Sequence, residues 1–505
     1  MHNRHFKKIV PFFAALSLLG QTNAIYAQND KTNNSIKKVG SLLGGILNKK
    51  DTKTTTKSPT TTTSTSSNTI QLNNKNFIEG GTIAPNAKYL DVDRWSAFNN
   101  GAAVVHKGMA AALINSNGDF IVPYSAGYEF FSEATELEPV VTSARNIPQR
   151  YYVNDIFYYM NINHTGVGGY INSKGKLLAN RTDQYTNYLF DYTANKKYIF
   201  YRRKIGSKVE GGVSYDIMRY VYVDTSGKEY VYDHELTDIF EGIGIVTARN
   251  NRSKKGYRTL TGKMLTGYQY DEANPFSDGM AIVGVRDQYG QVKYGAIDRN
   301  GKLAVPLMYS NRPSAFSGGY ATVKPQDSYQ AGFEYGFIDK KGNLVFKQTK
   351  EDIAKNGGTF GPFSNFGLSY SGKYIMDTAF HIKSKADFFA SYGLPENCWF
   401  ADQSENTGTW TENDTHPKVY FGHNKIKDPY TRFGLRIIGF IDLVTGKVVK
   451  PAFTKIGRFD PVSRLAYAEI ITGVKSKDNP NPVYKDGFIN EDGAFVLLKQ
   501  EKGTW

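Results

Sequence analysis

The chain has 505 residues, of which 49 are glycine and 14% are aromatic, and it carries a single cysteine. One cysteine excludes an intrachain disulfide and a lipid-anchored N-terminal cysteine. The formal net charge of +15 is weighted towards the N-terminal 68 residues, and no concentrated basic stripe follows, which argues against a nucleic-acid partner.

Residues 1–27 have the layout of a secretory signal. Arg4, Lys7 and Lys8 precede the apolar run 9–19, and Ala24-Ile-Tyr-Ala27 supplies a small-residue cleavage site. Export to the periplasm, cell surface or exterior is therefore expected. In residues 28–50, Ile36, Val39, Leu43, Ile46 and Leu47 fall at helical spacing beside Lys37, Lys38, Lys49 and Lys50. That pattern suits a short amphipathic helix touching a membrane or a partner, although Gly40, Gly44 and Gly45 each weaken it by about 1 kcal/mol. A floppy post-signal tail is the favoured reading, and any membrane contact would come through this tail alone. Residues 51–75 are rich in Thr and Ser and hold too little apolar surface to order themselves, so they read as a linker.

From residue 76 to 346 one phrase keeps returning. It reads Ala112-Leu-Ile-Asn-Ser-Asn-Gly118, Tyr170-Ile-Asn-Ser-Lys-Gly175, Tyr222-Val-Asp-Thr-Ser-Gly227, Ala296-Ile-Asp-Arg-Asn-Gly301 and Phe337-Ile-Asp-Lys-Lys-Gly342. It recurs after residue 431 as Phe440-Ile-Asp-Leu-Val-Thr-Gly446 and Phe488-Ile-Asn-Glu-Asp-Gly493. Each copy predicts a β-hairpin. Asp or Asn bonds its own backbone at the start of the turn. The glycine takes the left-handed position that a three-residue loop requires. In the third copy this sets Tyr222 opposite Tyr230 and Tyr220 opposite Tyr232, and the same register is expected at Phe337–Phe346. The glycines at 118, 175, 227, 301, 342, 446 and 493 are thus structural, and Ile114, Ile171, Val223, Ile297, Ile338, Ile441 and Ile489 are expected in the core. A second phrase, an aromatic turn closed by glycine and followed by an apolar strand, precedes several hairpins, as in Phe276-Ser-Asp-Gly279-Met-Ala-Ile-Val283 and Phe316-Ser-Gly-Gly319-Tyr-Ala-Thr-Val323. Degraded copies lie near 260 and 375.

Residues 347–430 interrupt the pattern with one degraded repeat and an apparent insertion, 383–427, that carries Trp399, Trp410, His416 and His423. Insertions in repeat proteins tend to share one face, often the binding face. Trp399 and Trp410 are therefore binding candidates, against the alternative of a loop packed on its own aromatics. Residues 431–505 return to the repeat.

These two phrases, in fixed order, resemble the bacterial WG-repeat family, most closely at Phe276–Tyr309 and Phe316–Phe346 and loosely over about residues 90–498. The signature Trp-Gly is replaced by Tyr294-Gly295, Tyr335-Gly336, Ile438-Gly439 and Asp486-Gly487. The resemblance implies β-repeat modules that mediate interactions and no established chemistry.

The expected fold is all-β: tandem three-stranded hairpin repeats, seven to nine in number, closed like a propeller to hide their edges, with an open superhelix as the alternative. No metal site is expected, since His416 and His423 are seven apart and no nearby carboxylate completes a set. No cofactor is called for, and neither a nucleophile elbow nor a phosphate-binding loop occurs. Cys398 reads as a small apolar residue. Tyr220, Tyr222, Tyr230 and Tyr232 form either a structural ladder or an exposed aromatic platform for sugar rings or peptides. The expected function is a non-enzymatic binding or scaffold protein of a bacterial cell envelope, with a protein or glycan partner. The rival is a hydrolase or lyase acting on polysaccharide.

Overall fold

The computed structural model describes residues 76–130, 156–163, 168–180, 198–233, 235–248, 253–364, 367–401, 416–430, 435–475 and 481–500. The signal, tail and linker readings, and Trp410, lie outside the described residues. The described residues fold into eight sheets, antiparallel but for one added strand in each of two, and one sheet spans two repeats, so nine units follow one another. We number them in chain order: unit 1 over 94–122, unit 2 over 128–180, unit 3 over 198–232, unit 4 over 237–270, unit 5 over 272–309, unit 6 over 314–348, unit 7 over 361–384, unit 8 over 398–453 and unit 9 over 455–499. The degraded copies near 260 and 375 are units 4 and 7. Within a unit the strands run a, b, c, d, with only b, c and d described in unit 3, and the repeated phrase is the c–d hairpin.

The turn chemistry follows the sequence. Asn115, Asn172, Asp224, Asp298, Asp339, Asp377 and Asn490 each accept the N–H groups two and four residues on, at 2.8–3.1 Å. All seven turn glycines have φ between +70° and +86°. Tyr222 pairs with Tyr230 and Tyr220 with Tyr232. At Phe337–Phe346 the expected register holds for Ile338 and Leu344, and then a bulge shifts Phe337 onto Phe346. The seven apolar positions expected in the core are all buried.

Nine apolar clusters join the units pairwise, and their order closes a ring. Unit 1 packs on unit 2 through Leu113 and Phe157, unit 2 on unit 3 through Tyr170 and Val223, and unit 3 on unit 4 through Tyr222 and Val246. Tyr257 with Phe276, Ala296 with Phe316, and Phe337 with Phe363 carry the contact on from unit 4 to unit 7. Ile375 with Phe421 joins unit 7 to unit 8, and Phe440 with Ile489 joins unit 8 to unit 9. Unit 9 then returns to unit 1 through Phe488, which lies 5.0 Å from Trp95 and 4.6 Å from Phe98 between ring centroids. An open superhelix would leave units 1 and 9 apart, so the array is closed and propeller-like.

Two strands ahead of unit 1 complete the far end. Strand β1 (Phe77–Ile78) pairs in parallel with strand d of unit 8, and strand β2 (Ile83–Leu90) pairs in parallel with strand d of unit 9. Both edges are thereby covered. Residues 383–427, read as an insertion, supply the helix Lys385–Ser391 and strands a and b of unit 8, Cys398–Phe400 and Lys418–Lys427. The pattern was hidden because residues 401–417 separate the two strands where units 1, 4, 5 and 6 use a two-residue turn.

Candidate functional site

Among the described residues, strand alternation puts the a–b turns and the c–d turns at the same end of the ring. In units 1, 4, 5 and 6 the a–b turn has two central residues of positive φ: Asn100 and Gly101, Glu241 and Gly242, Asp278 and Gly279, Gly318 and Gly319. This is the hairpin turn whose twist matches its flanking strands. In units 4 and 5 the side chain at the first of these positions reaches the next unit. Asp278 accepts the Gly319 N–H at 2.6 Å and the Lys340 ammonium at 2.9 Å. Glu241 accepts the Gly279 N–H at 3.1 Å and the Arg299 guanidinium at 2.9 Å. Asp460 of unit 9, fully buried, accepts the N–H groups of Asn100 and Gly101 at 2.7 and 2.9 Å. Because consecutive a–b turns touch, strands a converge on the ring axis and strands d lie outside. The c–d turns also sort by charge. Lys174, Lys176, Lys302 and Lys341 mark the arc from unit 2 to unit 6, while Glu491, Asp492 and Asp119 mark units 9 and 1.

The densest charge cluster joins units 8 and 9 at this end. Lys418 begins strand b of unit 8 and has 1% of its side chain exposed. Its ammonium donates to Asp442 at 2.9 Å, to Glu491 at 2.7 Å and to the His416 carbonyl at 2.5 Å, and lies 5.4 Å from the Phe459 ring centroid. Arg464 adds a second cation, 2.5 Å from Glu491. Burial works to raise the Asp442 carboxyl, but the Lys418 charge and the N–H groups of Thr445 and Val444 outweigh it and hold the group below the usual carboxylate value. His416, Asp442 and Glu491 bring one ligand atom each to within 4.8 Å of one another. Sequence spacing missed this set because its carboxylates come from turns of two units. The Lys418 ammonium already binds both carboxylates, so the protein's own cation fills the position a metal would take. His423 is not part of the cluster and bonds the Glu396 carbonyl at 2.7 Å.

The tyrosine ladder forms, but it is not an open platform. Tyr222 is buried, and its hydroxyl donates to the Leu236 carbonyl at 2.7 Å and accepts the Leu236 N–H at 2.8 Å. Tyr232 is buried and donates to the Leu260 carbonyl of unit 4. Tyr220 and Tyr230 are half-buried against the same seam. Burial and the Asp224 carboxylate push the Tyr230 hydroxyl up to about 12. The ladder is therefore a seam between units 3 and 4, because strand d of unit 3 turns this face to unit 4 rather than to solvent. Trp399 is half-buried in unit 8, with the Arg436 guanidinium 5.4 Å from its ring and Gly422 beneath it, where any Cβ would stand 2.3 Å from the indole. Burial pushes the Cys398 thiol up to about 12, away from the thiolate form that a nucleophilic cysteine uses.

The residues that tie the turn end together, Glu241, Asp278, Asp460, Lys418, Asp442 and Glu491, were not singled out from the sequence. The available signals were the acid just before the turn glycine in the second phrase and the charged second residue of the c–d turn, as in Arg299, Lys340 and Glu491.

Comparison with known proteins bears on the repeat. A model of the WG-containing repeat matches residues 259–289 and 294–328, the c–d turn of unit 4 through strand c of unit 5 and on into unit 6. No curated protein matches the chain. Among solved structures, a eukaryotic initiation factor aligns with 12% identity and a TM-score of 0.37, over 81% of this chain and 97% of that one. The WD40 domain of Neurospora crassa Pan2 aligns with 9% identity and a TM-score of 0.22, over 60% of this chain and 87% of that one. The WD40 domain of SCAP from fission yeast aligns with 8% identity and a TM-score of 0.20, over 81% and 83%.

Proposed function

We propose that this chain, which carries WG-containing repeats, is an exported, non-enzymatic binding or scaffold protein of a bacterial cell envelope that holds a protein or glycan partner on its ring. Its supporting observation is the state of the carboxylates at the turn end. Glu241, Asp278 and Asp460 are engaged by backbone N–H groups and cations of the next unit, and Asp442 and Glu491 are bound by Lys418. General acid–base hydrolysis needs a carboxyl free to move a proton at the substrate. These groups are spent on joining units. Export rests on the charged, apolar and small-residue order of residues 1–27.

The test is a pull-down from envelope extract with the chain from residue 28 onward, read by mass spectrometry and glycan analysis. One protein or polysaccharide retained through a salt wash is the expected result. Release of reducing sugars from envelope polysaccharide by the same protein, with no partner retained, would overturn the reading in favour of the hydrolase or lyase.

A further inference from the structure

Strands β1 and β2 demonstrate how this ring takes up an additional strand. Phe77 and Ile78 pair in parallel with Val448 and Val449. The Val448 N–H donates to the Asn76 carbonyl at 3.0 Å. Glu79, just beyond, pairs with Lys450. Under this cover Val448 and Val449 are 0% exposed. Both follow the turn glycine Gly446 and its lysine.

Unit 6 presents the corresponding stretch uncovered. Leu344 and Val345 follow the turn glycine Gly342 and Asn343, and strand d (Leu344–Gln348) is the outer member of its three-stranded sheet. Leu344 is 44% and Val345 41% exposed. The same strand runs on into a groove of about 340 Å³ between units 6 and 7, lined by Phe346, Lys347, Gln348, Lys355 and Tyr374 among others. Gln348 is fully buried there. Its Oε1 accepts the Phe360 N–H at 3.0 Å, and its Nε2 has no acceptor among the described residues. A buried amide donor left unpaired carries an uncompensated desolvation penalty. The donor has no exposed surface, so a main-chain carbonyl in the groove pairs with it only once the groove wall parts. Lys347 and Lys355 outnumber Asp352 on the groove walls, so the end past Val345 favours a negative side chain, as Lys450 receives Glu79.

We propose that the outer edge of unit 6, from Leu344 to the groove beside Gln348, docks an extended peptide of a partner protein as an added parallel strand, with two apolar side chains followed by an acidic one. Strand addition of this kind takes its affinity from main-chain hydrogen bonds and its specificity from alternate side chains. The proposal rests on the binding reading above and narrows the partner to a peptide segment.

The probe is a synthetic peptide of the chain's own 76–82 sequence with a photo-crosslinking residue in the Phe77 position. It is irradiated with the full-length protein, and the adducts are mapped by mass spectrometry. Adducts at 344–356 are expected, reduced at least ten-fold by Leu344→Lys in the protein and by Glu79→Gln in the peptide. Gln348→Leu should also weaken binding, with circular dichroism melting used to confirm that each variant is folded. Adducts confined to 448–450, where the peptide merely replaces β1, or no adducts at all, would overturn the proposal. If the pull-down still retains a partner in that case, the docking site falls and the binding reading stands.

Discussion

A lysine side chain that is 99% covered must be held by charge, and Lys418 is held by Asp442 and Glu491. Removing one partner of such a group leaves the other buried and unpaired, at about 3–5 kcal/mol. Lys418→Met is expected to lose about that much in urea unfolding, and the double variant Lys418→Met, Asp442→Asn should recover part of it; equal losses would mean the pair is not coupled. The pH response carries the same signature. The folded Asp442 carboxyl lies below its unfolded value, so its contribution is complete above about pH 4 and disappears as pH falls through the lower folded value. Wild-type melting temperatures should therefore decline below about pH 4 more steeply than those of Asp442→Asn. None of this was readable from the strand Lys418-Val-Tyr-Phe, where a lysine at a strand end reads as solvated. Its two carboxylates lie 24 and 73 residues away. The turn residues were readable because each acts within four positions of itself.

At the scale of the element, the glycine of the degraded Trp-Gly pair has a clear reason to stay. A Cβ on Gly295 would stand 2.4 Å from the Val305 carbonyl oxygen, on Gly336 2.8 Å from that of Phe346, on Gly439 2.2 Å from that of Val449, and on Gly487 2.3 Å from that of Leu497. Strand d bulges across strand c at Gly295 and Gly439, and between the next two residues of strand c at Gly336 and Gly487. The preceding residue has no such constraint, which is why Tyr294, Tyr335, Ile438 and Asp486 can all stand where the family has Trp. Gly439→Ala should cost about 1–3 kcal/mol through overpacking. Gly473→Ala, in a strand with nothing within 4 Å of the added Cβ, should be neutral or slightly stabilising. Thermal unfolding of the two variants side by side checks this. The hairpins themselves were legible from turn chemistry, but the bulge at Phe337 and the split of strands a and b in unit 8 were not, since neither leaves a local mark.

For the whole molecule, repeat counting bounded the number of units and left closure open. Closure depends on Phe488 meeting Trp95 and Phe98, and on two strands whose few residues carry no signal of their destination. Phe488 is fully buried, so Phe488→Ala should cost about 3–5 kcal/mol. In a closed ring, faster amide exchange should appear in unit 1 as well as in unit 9. Acceleration limited to unit 9 would indicate an open array, where stability is nearly a sum over neighbours.

The placement of β1 and β2 also sets a clock. Trp95 must wait for Asp486, 391 residues later, before its indole N–H can donate to that carboxylate. At synthesis rates of about 5–20 residues per second that wait is roughly 20–80 s. Throughout it, β2 has no mate. A chain cut short before unit 9 never supplies one, so β2 and the free face of unit 1 stay bare, and the truncated product is marked for proteolysis by its own oldest segment.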